Sequence, residues 1–245
     1  MATKRDMIIY SRWNCQQSSL MKAHPRGAPD ETWTTEQLRR RADSRRMVRY
    51  RFWDEWLTQR LDLFEKYTYP SVQSQTDQNF RWIGLAHRDS PTWFIEALRK
   101  YNRMELHLVT YDTETTINGG ISVNLDTDDA LSRDFVKNAQ NVAVGETVYT
   151  HGVKYRERDS FWFDTVDEVA GSVYNVINHC STTVLDYMHG RSDLDKHLIH
   201  TEDPKWLQVV HGRNVANGFR PHEEPGGRTD LEQVQRYFEI RKEHQ

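Results

Sequence analysis

Gly119-Gly120-Ile121-Ser122-Val123-Asn124-Leu125-Asp126-Thr127-Asp128-Asp129 is the stretch on which the fold turns. Ile121 to Leu125 reads as a short strand entered through two glycines, and an acidic loop comes directly after it. Ser132 then reads as the cap of a helix running to about Asn141. Strand, polar loop and helix in that order are the repeating unit of an α/β sheet. In such sheets ligands bind at the C-terminal ends of the strands.

Upstream the same alternation recurs. Met7 to Tyr10 predicts a first strand, stopped by the polar turn Ser11-Arg12-Trp13-Asn14. Residues 15–34 carry Pro25, Gly27 and Pro29 and read as an irregular loop. Apolar residues at Leu38, Ala42, Val48, Phe52, Trp56, Leu57, Leu61 and Phe64 predict a helical region from Thr35 to Tyr67, in one helix or two broken near Asp43-Ser44. Pro70 ends that pattern, and Ser71 to Gln75 predicts a short further helix. Phe80 to Ala86 predicts a second strand, Ser90-Pro91 a helix start with the helix reaching Tyr101, and Leu106 to Tyr111 a third strand. The first ~145 residues therefore predict a mostly parallel sheet with helices on both faces. The turns at 11–14 and 126–129 both fall at C-terminal strand ends, which joins them into one candidate site.

Beyond that point the chain changes character. Thr147 to His151, Lys154 to Asp164, Thr182 to Met188 and Trp206 to Val210 predict short strands added beside the sheet. Residues 221–229 read as a loop or hinge. Thr229-Asp230-Leu231-Glu232 predicts a capping box and a last helix to about Lys242.

Composition limits the partners. The 245 residues are 37% hydrophobic with a mean hydropathy of -0.85, which describes a polar surface. A net charge of -3 argues against nucleic acid, whose binding proteins draw affinity from Lys and Arg. The local exception, Arg39, Arg40, Arg41, Arg45, Arg46, Arg49 and Arg51, reads as a solvated helix face partly paired with Asp43, Asp54 and Glu55. Cys15 and Cys180 make no disulfide framework, and the expected compartment is the cytoplasm. No apolar run approaches the ~20 residues of a transmembrane segment, and Met7 to Tyr10 is too short for a signal-peptide core.

The chemistry lies in the acidic loop. Asp126, Asp128 and Asp129 place three carboxylates in four residues, which repel unless a cation is near. One reading is a helix N-terminus, where the macrodipole favours acidic residues. The other is a divalent metal. A nucleoside diphosphate leaving group gains negative charge as its glycosidic bond breaks, and a metal held by hard oxygen ligands stabilises it. An Asp-x-Asp spacing lets one carboxylate reach the metal while its neighbour reaches ribose or sugar.

Leu125 through Val136 resembles the signature of the putative rhamnosyltransferase family, which belongs with the GT-A glycosyltransferases. Three more stretches agree in order. Ser11-Arg12-Trp13-Asn14 is similar to the family's turn after the first strand, with Trp13 in place of Phe. Leu63 to Tyr67, Pro70-Ser71-Val72 and Gln75-Thr76-Asp77-Gln78-Asn79-Phe80-Arg81-Trp82 resemble a central block. Trp206 to Asn214 resembles a C-terminal His-Gly-x-Asn block. The resemblance spans residues 7 to 215, and the loop 15–34 and the Arg-rich run stand outside its four blocks.

The resemblance implies a GT-A fold, a nucleoside-diphosphate sugar donor, Mn²⁺ or Mg²⁺, and a glycan, lipid or protein acceptor. Residues 1–145 would be the nucleotide-sugar-binding half, 146–220 the acceptor-side half of the same domain, and 221–245 a C-terminal loop and helix. Ser11, Arg12 and Asn14 would line the nucleotide pocket. Asp126 would reach ribose or sugar hydroxyls with Asp129 beside it, and Asp128 would bind the metal. His211 would be a late metal ligand or phosphate contact, oriented by Asn214. For the base that deprotonates an acceptor hydroxyl, His189 and Asp193 are the candidates, with Asp164 a rival. Phe161-Trp162-Phe163 is a candidate acceptor platform. The competing readings are a nucleotidyltransferase, which needs a Gly-rich phosphate loop that residues 11–15 lack, and a non-catalytic carbohydrate-binding or structural protein.

Overall fold

The computed structural model describes residues 6–13, 54–88, 90–109, 120–156, 161–166, 175–179, 184–185, 194–211 and 228–241. Strand β1 (Met7–Arg12) lies inside a seven-stranded sheet. Its side chains alternate: Met7 and Ile9 enter one apolar cluster, Ile8 and Tyr10 another. A strand apolar on both faces needs cover on both, the usual condition of an internal parallel strand. β2 (Arg81–His87) and β3 (Glu105–Val109) run parallel on one side of it, and β4 (Gly120–Asn124) runs parallel on the other.

The rest of this sheet adds one reversed strand to a mostly parallel arrangement. β9 (Asn175–His179) is antiparallel to β4 and to β6 (Gly145–Tyr149), and β10 (Lys196–Ile199) closes the edge parallel to β6. The order is β10-β6-β9-β4-β1-β2-β3, a mixed sheet. The single reversal is β9, which lies between β4 and β6 and leaves the other six strands aligned. Strands on both sides of residue 145 thus build one sheet.

The added β structure forms a second sheet. Its five members are β5 (Ala130–Leu131), β7 (His151–Arg156), β8 (Phe161–Val166), β11 (Trp206–Val210) and β12 (Arg228–Thr229). They lie in the order β12-β8-β7-β11-β5. The stretch read as one strand from Lys154 to Asp164 is the antiparallel pair β7 and β8. Val184 and Leu185 form a buried turn rather than part of a strand. The Val184 amide donates to the Ser122 hydroxyl at 3.0 Å, so a side chain takes the hydrogen bond a ladder would need. One residue, Thr150, separates β6 from β7 and so joins the two sheets. Trp206 packs across Gly152, where an added Cβ would lie 2.1 Å from the indole, and its Nε1 donates to the Tyr149 carbonyl at 2.7 Å.

The central helical region departs from its sequence pattern in one useful way. A helix over Asp54–Leu63 widens into a π-helical turn over Phe64–Thr68 and resumes over Tyr69–Gln73. Pro70 therefore does not end the helix. It sits in the first turn of the resumed segment, where a missing N–H costs little, and the wide turn before it absorbs the ring. Leu57, Phe64 and Val72 bury fully against the sheet, each worth ~1.5–3 kcal/mol.

Caps also differ from expectation. Ser90 does not cap the helix Thr92–Leu98, because its hydroxyl donates to the His87 carbonyl at 2.6 Å. Ser132 does not cap the helix Phe135–Ala139, because its hydroxyl donates to the Asp134 carboxylate at 2.7 Å. The terminal capping box exists one residue later than its sequence pattern suggests. Asp230 accepts from the Gln233 amide at 2.8 Å and Gln233 accepts from the Asp230 amide at 3.1 Å. That helix ends at Tyr237, since Phe238 turns extended and, with Ile240, enters the apolar cluster under the second sheet.

Candidate functional site

From β1 the sheet continues to β2 and β3 on one side and to β4 on the other, so the crevice between β1 and β4 is a topological switch point. The register pairs Tyr10 with Asn124, and the Leu125 amide donates to the Tyr10 carbonyl at 2.8 Å. Arg12 and Asp126 accordingly leave the sheet at the same edge, both partly exposed. The acidic loop is a tight turn closed by the Asp129 amide on the Asp126 carbonyl at 3.2 Å.

The second sheet supplies the opposite wall. β11 pairs antiparallel with β5, Leu207 against Ala130, and so runs back along the acidic loop. Two residues on, the Val209 amide donates to Asp129 Oδ1 at 2.8 Å. Two further on, His211 Nε2 lies 3.0 Å from Asp128 Oδ2. Each step of the strand meets the preceding carboxylate.

The three carboxylates have different work. Asp129 is fully buried; its Oδ1 holds β11 and its carbonyl accepts from the Thr68 hydroxyl at 2.7 Å. Through those contacts Asp129 braces the loop against β11 and the helical region. Asp128 is 3% exposed, and its Oδ2 meets both His211 and the Arg60 guanidinium. Burial alone would raise its pKa; the Arg60 charge and the His211 hydrogen bond outweigh burial and hold the carboxyl below its ordinary 3.8. Asp126 is the outward member. Carboxylate oxygens of all three lie within 4.8 Å of one another.

Arg60 and Thr68 were not singled out in the sequence, and Ser71 and Gln75 stood out only as the ends of a short helix and members of the central block. One side of the helical region touches consecutive residues of the acidic loop. Arg60 pairs with Asp128, Thr68 donates to the Asp129 carbonyl, and the Leu131 amide donates to the Ser71 hydroxyl at 3.3 Å. Gln75 donates to the Ser132 carbonyl at 2.7 Å and accepts from the Val136 amide at 2.9 Å. A legible signal existed for Arg60. Trp56, Leu57, Leu61 and Phe64 form an apolar stripe, and Arg60 falls on it.

The remaining expected residues divide in two. The Ser11 hydroxyl is buried and accepts from the Trp82 indole at 3.0 Å, a core contact rather than an open one. Trp162 is half-buried and stacks on Tyr155 with ring centroids 4.0 Å apart, so it packs on its own sheet. Asp164 stands opposite Val153 in the β7–β8 ladder. Asn14, His189, Asp193, Asn214 and the Arg-rich run at 39–51 lie outside the described residues. Among the described residues no helix is long and apolar enough to cross a membrane.

Comparison with known proteins supports a glycosyltransferase at the level of class. More particularly, the model of the family described as "Putative rhamnosyl transferase" matches residues 33–114, which bears out over that segment the resemblance read from the motifs. The matched segment takes in the Arg-rich run, Arg60 and the Gln75 block, and it stops before the acidic loop. No curated protein matches the chain.

Proposed function

We propose that the chain is a metal-dependent glycosyltransferase of the GT-A type, moving a sugar from a nucleoside-diphosphate sugar to a hydroxyl on a glycan, lipid or protein. The observation that carries this reading is the approach of Asp128 Oδ2 and His211 Nε2 to 3.0 Å at a sheet switch point. Two adjacent ligands of an ion bound at about 2.1 Å stand about 3 Å apart, so the donor pair suits Mn²⁺ or Mg²⁺. Asp128 and His211 would hold the ion, and its chemistry would be Lewis-acid stabilisation of the departing diphosphate.

The chain's own residues do the rest. Asp129 and Thr68 fix the loop so that Asp128 and His211 keep their spacing. Asp126, at the open side, offers an acceptor to ribose or sugar hydroxyls, and Arg12 at the end of β1 offers a cation to phosphate. His189 and Asp193 remain the proposed bases for the acceptor hydroxyl. The donor screen is hydrolysis of UDP-, GDP- and dTDP-sugars with Mn²⁺, monitored by release of the nucleoside diphosphate. One donor is expected to turn over, with Asp128→Ala lowering the rate at least about a hundredfold. Equal turnover by the variant excludes the proposed role.

A further inference from the structure

Arg60 delivers a full positive charge to the carboxylate oxygen proposed to take the metal. We propose that Arg60 is the site's resident counter-ion: it holds Asp128 until metal and nucleotide arrive together, then turns to the diphosphate. The inference rests on the reading of Asp128 and His211 as metal ligands.

The position of Arg60 is built rather than incidental. Arg60 and Thr68 are eight residues apart, which in a regular α-helix leaves them about 80° out of line. The extra residue in the wide turn Phe64–Thr68 brings the mismatch to about 20°. Arg60 thereby shares a side with Thr68, which grips the acidic loop at the Asp129 carbonyl. The Trp56 ring backs the guanidinium, whose carbon lies 5.2 Å from the ring centroid. Nε is buried and meets no hydrogen-bond acceptor among the described residues. A guanidinium therefore stands at the loop with donor capacity unspent.

Charge sets the order of binding. Guanidinium stays protonated at any physiological pH and has no lone pair for a metal. Arg60 and a divalent ion would repel at Oδ2, so Arg60 opposes metal that arrives alone. A diphosphate changes the balance, because its oxygens match the planar fork of the freed guanidinium. Metal and nucleotide then help each other, and the help is reciprocal by linkage.

The test is Mn²⁺ binding, read by the electron paramagnetic resonance of free aqueous Mn²⁺, with and without UDP, GDP or dTDP. The wild-type protein is expected to bind Mn²⁺ weakly alone and about tenfold or more tightly with its nucleotide. Arg60→Gln should bind Mn²⁺ alone about tenfold more tightly than wild type and lose most of the nucleotide's help. Unchanged or weaker Mn²⁺ binding by Arg60→Gln, while Asp128→Asn still abolishes binding, overturns the proposal and leaves the metal reading intact. No Mn²⁺ binding by wild type with any nucleotide, and none by Asp128→Asn, overturns both. Should Arg60→Gln fail to fold, Arg60→Lys carries the test. It keeps a cation at Oδ2 but loses the fork, so metal alone should stay weak while nucleotide coupling falls. Unchanged coupling in that variant defeats the proposal.

Discussion

Strands β1, β2 and β4 and strands β5 and β11 reach the same site by different means. The first three are seated by burial: Ile9, Tyr10, Trp82 and Val123 are all fully enclosed, and apolar clusters cover both faces. β11 is laddered to β7 along its length, pairs with β5 over only two positions, and on that side is aimed at the loop by Asp129 and Asp128. The large sheet spreads its stability over many contacts, so no single polar group sets its geometry. The second sheet carries β11 on the β7 ladder, and two hydrogen bonds to Asp129 and Asp128 then set how its end meets the loop.

The hardest blow to this contrast is Trp206→Ala. It removes the one large side chain by which β11 enters the main core. A loss of about 3–5 kcal/mol is expected from urea denaturation, and a loss under about 1 kcal/mol would mean β11 has other anchors. Asp129→Ala comes next, at about 1–3 kcal/mol for the unmet Val209 amide. Hydrogen exchange should then accelerate in β11 and stay slow in β1 and β4; uniform acceleration would erase the distinction between the sheets.

Acid offers a gentler probe. The folded pKa of Asp128 is depressed, so its contribution to stability is whole above the ordinary 3.8 and drains away as pH falls through the lower folded value. Asp134 behaves alike: burial works against ionisation, and Lys205, Ser132 and Asn138 overcome it. Thermal melts should fall below pH 4 in wild type and fall less in Asp128→Asn. Equal slopes would place the acid-sensitive pairing elsewhere. The smallest effect belongs to Arg81→Ala, whose partner Glu105 lies on an exposed edge of the large sheet. About 0.5 kcal/mol or less is expected by the same denaturation.

Legibility in the sequence divides along the same line. Met7 to Tyr10, Phe80 to Ala86, Ile121 to Leu125 and Trp206 to Val210 announced strands because burial on one or both faces leaves apolar runs. The acidic loop stood out because charge after a buried strand is costly without a purpose. His211 was reached through its motif, and its distance to Asp128 required the fold. Arg60 escaped notice because a charged helix position ordinarily faces water, and its neighbours' apolar spacing had to be weighed against its charge. Ser90 and Ser132 misled because a serine hydroxyl donates to a nearby oxygen as readily as it caps a helix. The phase shift at Phe64–Thr68 leaves no composition signature, so Pro70 read as a stop.

Thr150 has a mechanical corollary. It is all that lies between the last residue of β6 and the first of β7, and its amide is tied to the Ile199 carbonyl at 3.0 Å. Such a joint has no slack. It works as a gear tooth rather than a hinge, so one sheet cannot swing open against the other to admit a substrate at this junction. Access must be granted by side chains and loops, and the spacing of Asp128 and His211 would survive each turnover unaltered.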